Sequence, residues 1–286
     1  MIFNQIPPTL GKNQLISNQV GYQTPKFIFI SYLVMFKAVL YDVGLLRESL
    51  NAISEIVDEG MFRFKKDGIS LVTPDRAVIA IVDFLLLPTA FESYKCDKDV
   101  EAGLNIVKLV QFIRKAKPED KLTLSLDEEE DRFELTLDGN TTRKFAVPII
   151  SVMQQEMKDI SKFDFKNKNC VEVDPSVIKE GIENGALISD SVLLRLNQES
   201  FILRSDGDSS YTQVKIDAGN PQMYSLKSDE EVFARYSIEY LSKMLKASKL
   251  SEKAKLEFNK DYPLHLEFMV KDKIRLGFVL APRIEE

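Results

Sequence analysis

The sequence predicts an α+β protein built as two pseudo-repeated domains, each strand-rich with two helices, and two observations carry that prediction. The first is a repeat at constant offset. Asp42 and Asp58 bracket one amphipathic stretch, Asp174 and Asp190 bracket another, and each member of the second pair lies 132 residues after its counterpart. Leu109, Arg114 and Lys117 fall opposite Leu241, Lys246 and Lys249 at the same offset, although the halves share little identity. A shared pattern without shared identity marks one supersecondary unit used twice. The second observation is that strand-type and helix-type periodicity follow one another in the same order in both halves.

Each half opens with a strand (36–41; 170–173) and a helix (43–57; 175–188). Next come hairpins of alternating residues around polar turns, at 61–71 about Asp67-Gly68 and at 192–203 about Gln198-Glu199. Further strands are expected at 77–87 and 211–216, second helices at 104–116 and 236–248, and closing strands at 121–126 and 133–137, matched by 255–258 and 264–270. Residues 148–164 have no partner under the offset. Their scattered apolar residues, among them Val152 and Met157, predict a linker held across a sheet. The expected domains are therefore 35–147 and 165–286, with the linker between them.

Residues 1–34 stand apart, with only Lys12 and Lys26 charged in a chain that is otherwise rich in charge. A start codon set upstream of Met35 explains the break, and a disordered or partner-binding tail is the other reading. A cleaved signal peptide is not supported, because the basic start and the small-residue cleavage site are missing. No apolar run reaches the roughly 20 residues needed to span a bilayer. Cys96, Cys170 and the single His265 form no metal-ligand spacing, so neither a zinc site nor a disulfide framework is expected, and the cysteines read as reduced and intracellular.

The net charge of −6 opposes nucleic-acid binding on its face, but distribution decides. In the first helix Leu46, Leu50, Ile53 and Val57 form a buried stripe, with Arg47 opposite. Its counterpart buries Ile178, Ile182 and Leu187 and exposes Lys179 and Glu183. The second helices bury Ile106, Leu109, Val110 and Ile113, or Leu241, Met244 and Leu245, and expose Lys108, Arg114 and Lys115, or Lys243, Lys246 and Lys249. Lysines on one helix back are ordinarily just solvated. Here the cations recur at equivalent repeat positions, while acids concentrate elsewhere, as in Asp127–Asp131, which reads as a solvated hairpin turn. Such a face holds a polyanion through phosphates, without reading bases. One histidine, no glycine-rich phosphate loop and no nucleophile elbow leave an enzyme without support.

The motifs Asp67-Gly68-Ile69, Pro74-Asp75-Arg76-Ala77-Val78, Arg143-Lys144-Phe145-Ala146-Val147-Pro148, Tyr240-Leu241-Ser242-Lys243-Met244-Leu245-Lys246 and the C-terminal Leu280-Ala281-Pro282-Arg283-Ile284-Glu285-Glu286 occur in this order. Through them residues 35–286 resemble DNA sliding clamps of the proliferating cell nuclear antigen type, archaeal members most closely. The resemblance implies a clamp fold closed as a trimeric ring, with helices lining the hole around duplex DNA and with no catalysis, metal or cofactor. It implies Arg47, Lys108, Arg114, Lys179, Lys243 and Lys246 as phosphate contacts. Polymerase, clamp loader, nuclease and ligase would attach by short peptides to a groove including Val78, Ile79, Ile81, Val152, Met157, Pro263, Ala281, Pro282 and Ile284. Subunit contacts would use Lys115, Lys117 and Arg143 against Glu180. Ser176 and Asn184 stand where archaeal relatives carry acids, and Glu183 stands where a lumen lysine is usual, which leaves mixed rings with sister subunits open. A diverged adaptor that binds peptides without encircling DNA is the alternative. The resemblance also implies a cytoplasmic, nucleoid-associated protein.

Overall fold

The computed structural model describes residues 34–40, 42–127, 131–152 and 168–284, and the expected linker beyond Val152, with Met157, lies outside them. The first half runs β1 (Val34–Leu40), α1 (Val43–Ile53), β2 (Glu59–Lys65), β3 (Gly68–Pro74), β4 (Ala80–Leu86), β5 (Ser93–Cys96), β6 (Val100–Asn105), α2 (Ile106–Ile113), β7 (Lys121–Asp127), β8 (Arg132–Asp138) and β9 (Thr142–Pro148). The second runs β10 (Cys170–Val173), α3 (Pro175–Gly185), β11 (Ser191–Leu196), β12 (Ser200–Asp206), β13 (Tyr211–Asp217), β14 (Met223–Lys227), β15 (Val232–Ser237), α4 (Ile238–Met244), β16 (Ala254–Glu257), β17 (Leu264–Val270) and β18 (Ile274–Leu280). The offset of 132 carries α1 onto α3, β3 onto β12, β6 onto β15, β8 onto β17 and β9 onto β18 without a residue of slippage.

Among the described residues this doubling gives three sheets. A five-stranded sheet has the order β5-β1-β7-β8-β9, and a four-stranded sheet has the order β13-β12-β11-β15. The third has nine strands, β14-β10-β16-β17-β18-β4-β3-β2-β6. It consists of the second half's five-stranded unit joined to the first half's four-stranded unit by antiparallel pairing of β18 with β4, from Ile274 opposite Leu86 to Leu280 opposite Ala80. The two halves are therefore fused by a continuous hydrogen-bonded seam.

Local chemistry sets the helix starts. Asp42 and Asp174 accept from the backbone N–H groups of Gly44 and Ser176, and Asn105 accepts from Lys108 at 2.8 Å. The ends fall earlier than periodicity suggests. Regular α-helix stops at Ile53, Ile113, Gly185 and Met244, and residues 245–249 continue as a 3-10 turn. Leu187, expected in the buried stripe, is 83% exposed, because the helix has already ended two residues before it. The strand expected from Ala77 begins at Ala80, since Asp75–Ile79 form a loop. Strands β5, β6, β9, β14, β15 and β18 were not legible as separate elements.

The apolar stripes pack onto the inner faces of the sheets. Leu46 and Leu50 of α1 and Leu109 and Ile113 of α2 meet Phe62, Phe64, Leu71, Phe84, Leu124 and Phe133, all buried. On the other side of the large sheet His265 of β17 is largely buried, and burial, aided by Lys255 and Arg275, lowers its pKa to about 4. A folded pKa below the ordinary 6.5 means that stability is complete above 6.5 and is lost as pH falls towards 4. His265 by itself should therefore account for about 3 kcal/mol of stability lost on acidification across that window, offset in part by the partly buried carboxyls of Asp83 and Glu267, whose pKa values are raised. Urea titrations of His265→Asn should show a shallower dependence there.

Candidate nucleic-acid interface and partner groove

The four α-helices among the described residues form one layer. Helix α1 packs against α2 on one side and against α4 and the 245–249 turn on the other, while α3 packs against α4, so the order is α2, α1, α4, α3. All six cations expected to contact phosphate lie on this layer. Arg47 and Lys179 are pseudo-equivalent, as are Arg114 and Lys246. Their availability differs. Lys108 and Lys246 are exposed, with no ion pair among the described residues. Arg114 is exposed and donates from Nε to Asn51 Oδ1 at 2.9 Å. Lys179 lies 3.7 Å from Glu183, Lys243 lies 2.6 Å from Glu239, and Arg47 pairs with neighbouring Glu48 at 3.2 Å. Such exposed pairs contribute little stability.

The residues expected in a partner groove gather at one end of the β18/β4 seam, with exceptions. Ile81 pairs with Val279, and the Ala281 N–H donates to the Ile79 carbonyl at 2.9 Å. Leu264 pairs with Leu280, so Pro263 and Ala281 leave the same end of β17 and β18. Val78 is 61% exposed and Ile284 75%. The tail is pinned again where the Arg283 N–H donates to the Arg235 carbonyl at 2.7 Å and its guanidinium meets Asp190 at 2.7 Å, which holds that carboxyl below the usual range. Val152 lies elsewhere, against Gly103 at the β6 edge, where any side chain in place of Gly103 would collide with it and with the Ile150 carbonyl. It lines a cleft of about 630 Å³ with Pro74, Asp75, Arg76, Tyr240 and Lys243, in which none of the other expected groove residues takes part. Pro74, paired with Ile81, is an apolar residue of this region that only strand register reveals.

The loop between β3 and β4 is built on Asp75, which is 7% exposed. Its carboxylate accepts from the N–H groups of Ile79 and Ala80, each at 2.8 Å, and of Ala77 at 3.3 Å. Its fourth donor is the hydroxyl of Tyr240, from α4 of the other half, at 2.7 Å. Burial and this carboxylate push the Tyr240 phenol up to about 12. At the loop tip Val78 has φ +56°, a conformation that a β-branched residue adopts only at a cost of about 1–3 kcal/mol.

Of the residues expected at subunit contacts, Lys115, Lys117 and Glu180 are exposed. Arg143 is engaged within its own half, where it meets the buried Asp120 carboxylate and donates to the Lys115 carbonyl at 2.8 Å. The Lys117 N–H and this guanidinium hold the Asp120 carboxyl low.

A family profile described as proliferating cell nuclear antigen, N-terminal domain, matches residues 35–164, and one described as its C-terminal domain matches residues 169–283. The chain is 28% identical over 251 residues to the DNA polymerase sliding clamp of Pyrococcus furiosus, covering 88% of this chain and 99% of that one. It is 31% identical over 244 residues to the DNA polymerase sliding clamp of Nanoarchaeum equitans, covering 85% and 97%. In structure it resembles the crystal structure of PCNA from Thermococcus kodakaraensis, with a TM-score of 0.80, 21% identity and coverage of 87% of this chain and 100% of that one.

Proposed function

Because this chain belongs to the proliferating cell nuclear antigen family, we propose that it is a DNA polymerase sliding clamp, a non-catalytic ring that encircles duplex DNA and tethers replication and repair enzymes. The observation that carries the reading is a pair of unmatched sheet edges. Within the chain β18 and β4 join the halves. Their pseudo-equivalents, β9 and β13, each end a sheet with no partner strand among the described residues. Both show the same alternation of exposed and half-buried positions. Pairing β9 of one copy with β13 of the next repeats the internal seam between copies. Such a head-to-tail arrangement gives a closed ring when its rotation closes.

The internal register carries over to that interface. In the sheet register Lys215 takes the place of Leu85 and Gln213 that of Asp83, because the β12–β13 turn is shorter than the β3–β4 loop, so the seam places Arg143 opposite Lys215 of a second copy and Phe145 opposite Gln213 of that copy. The internal pair of Lys249 with Glu48, at 3.8 Å, becomes Lys117 with Glu180 of the second copy. That correspondence supports the assignment of Lys117 and Glu180 to the interface. Three copies would then turn their helical layers inward as a lining whose cations touch phosphates in any sequence, so the ring slides while its closure retains it. Polymerase, clamp loader, nuclease and ligase would dock by apolar peptide anchors beside the C-terminal tail, with Pro74, Ile79, Ile81 and Pro263 forming the groove and Val152 flanking it across the cleft it shares with Pro74.

Retention on DNA tests the topology. Loaded by a cognate clamp loader onto nicked circular DNA, the protein should co-elute with the circle and be released when a restriction enzyme linearises it. Retention that survives linearisation, or a monomer by light scattering that binds peptides but never loads, would favour the adaptor reading.

A further inference from the structure

We propose that the Tyr240 hydroxyl and the Asp75 carboxylate form a brace between the two halves that holds the Val78–Ile79 loop in the shape a partner peptide recognises, making Tyr240 a positioning residue of the groove. The inference rests on the partner-groove reading above. Four hydrogen bonds converge on one buried carboxylate, three from the loop's own backbone and one from the opposite half. Backbone bonds close the loop as well, from the Asp75 N–H to the Ala80 carbonyl at 2.8 Å and from the Val78 N–H to the Asp75 carbonyl at 3.1 Å. The loop nonetheless carries an exposed valine in the left-handed region. A strained residue persists where its surroundings over-determine it. Here those surroundings are the Asp75 carboxylate and the tyrosine that fixes its orientation.

The repeat supplies an internal control. The β12–β13 connection is shorter, running 207–210 between paired Asp206 and Tyr211 where 75–80 lie between Pro74 and Ile81, so Gly207 stands in place of Asp75, Ser210 in place of Ala80 and nothing in place of Val78, and the position equivalent to Tyr240 is Lys108. That turn closes with a bond from the Gly207 N–H to the Ser210 carbonyl at 2.9 Å and has no residue of positive φ. The fold therefore makes the shorter form of this connection without a brace, and among the described residues the brace occurs only in the longer loop, whose tip meets the C-terminal tail through Ala281 and Ile79. Tyr240 also lies on α4, whose Lys243 ammonium is 5.4 Å from the centre of its ring, so the brace ties the loop to the cationic helical layer.

The test is Tyr240→Phe, which keeps the ring and removes only the hydroxyl, compared with the unaltered full-length protein. Affinity is read by fluorescence anisotropy with a short fluorescein-labelled peptide carrying Leu and Phe anchors. Amide hydrogen exchange is followed in the same two proteins. Removing a hydrogen bond to a charged group should weaken peptide binding roughly tenfold. The Ile79 and Ala80 amides should exchange faster, while those of β3 and of β4 beyond Ala80 keep their protection. Asp75→Asn, which retains the shape and removes the charge, should act in the same direction. Equal affinity and equal exchange in Tyr240→Phe would overturn the brace and leave the groove standing. Faster exchange throughout β3 and β4 would show a merely structural role and overturn it too. Absence of peptide binding by the unaltered protein would overturn the groove reading, and the role assigned to Tyr240 with it.

Discussion

Removing the chain beyond Leu280 is expected to lower affinity for partner peptides roughly a hundredfold or more while leaving the fold intact. The deleted residues include Ala281, whose N–H bonds to Ile79, and Arg283, which bonds to Arg235 and Asp190. They also include Ile284, the most exposed apolar side chain of the region. A few hydrogen bonds of about 1 kcal/mol each, together with the apolar area no longer buried by the peptide, sum to about 3 kcal/mol, and each 1.4 kcal/mol is tenfold in affinity. The fold should survive, because β18 ends at Leu280, which is buried and already paired with Ala80 and Leu264. Calorimetric titration of peptide into the truncated protein measures the loss, and urea unfolding should show stability within about 1 kcal/mol of the intact chain. Ala281→Pro, which removes a single donor, should give a smaller loss of the same sign. A truncated protein that binds as well as the intact one would place the groove elsewhere.

The second large effect concerns DNA. Reversing charge with Arg114→Glu and Lys246→Glu together replaces two cations in every copy at positions the repeat makes equivalent. Affinity for duplex at low salt should fall on the order of a hundredfold, and the slope of log affinity against log salt should flatten by about 0.9 for each phosphate that is no longer neutralised. Lys243 is a poorer choice for the test, because a glutamate there would face Glu239 one turn away and disturb the helix. Reversing Lys271 and Lys273, exposed in the β17–β18 turn outside the helical layer, is the matched control and should leave the slope unchanged. An unchanged slope in the Arg114/Lys246 variant, with ring mass preserved by light scattering, would remove these residues from the DNA-facing surface.

Several features were legible in the residues alone because their causes are local. The offset of 132 marks the doubled architecture, since Asp42 and Asp174 cap equivalent helices and the stripes Leu46-Leu50-Ile53 and Leu241-Met244-Leu245 have helical spacing. The hairpins around Asp67-Gly68 and Gln198-Glu199 announced themselves through alternation bounded by polar turns. The cationic helix faces could be read for the same reason, as the same periodicity that buries one face exposes the other.

What the sequence could not supply depends on packing between distant segments. Leu187 reads as buried because periodicity continues past Gly185, whereas the chain there leaves the helix to start β11. Strand β18 was unreadable because it is buried along most of its length between β17 and β4, so the alternation that marks a half-exposed strand is absent. Pairing of β18 with β4, the unmatched edges at β9 and β13, and the bond from Tyr240 to Asp75 across 165 residues arise only once the halves are docked. Composition, caps and periodicity thus determined which unit was repeated and which helix faces are charged. Tertiary structure decided which sheet edges have no partner strand among the described residues and how Asp75 holds the loop beside the C-terminal tail, because hydrogen-bond partners far apart in sequence are chosen by packing and leave no local signature.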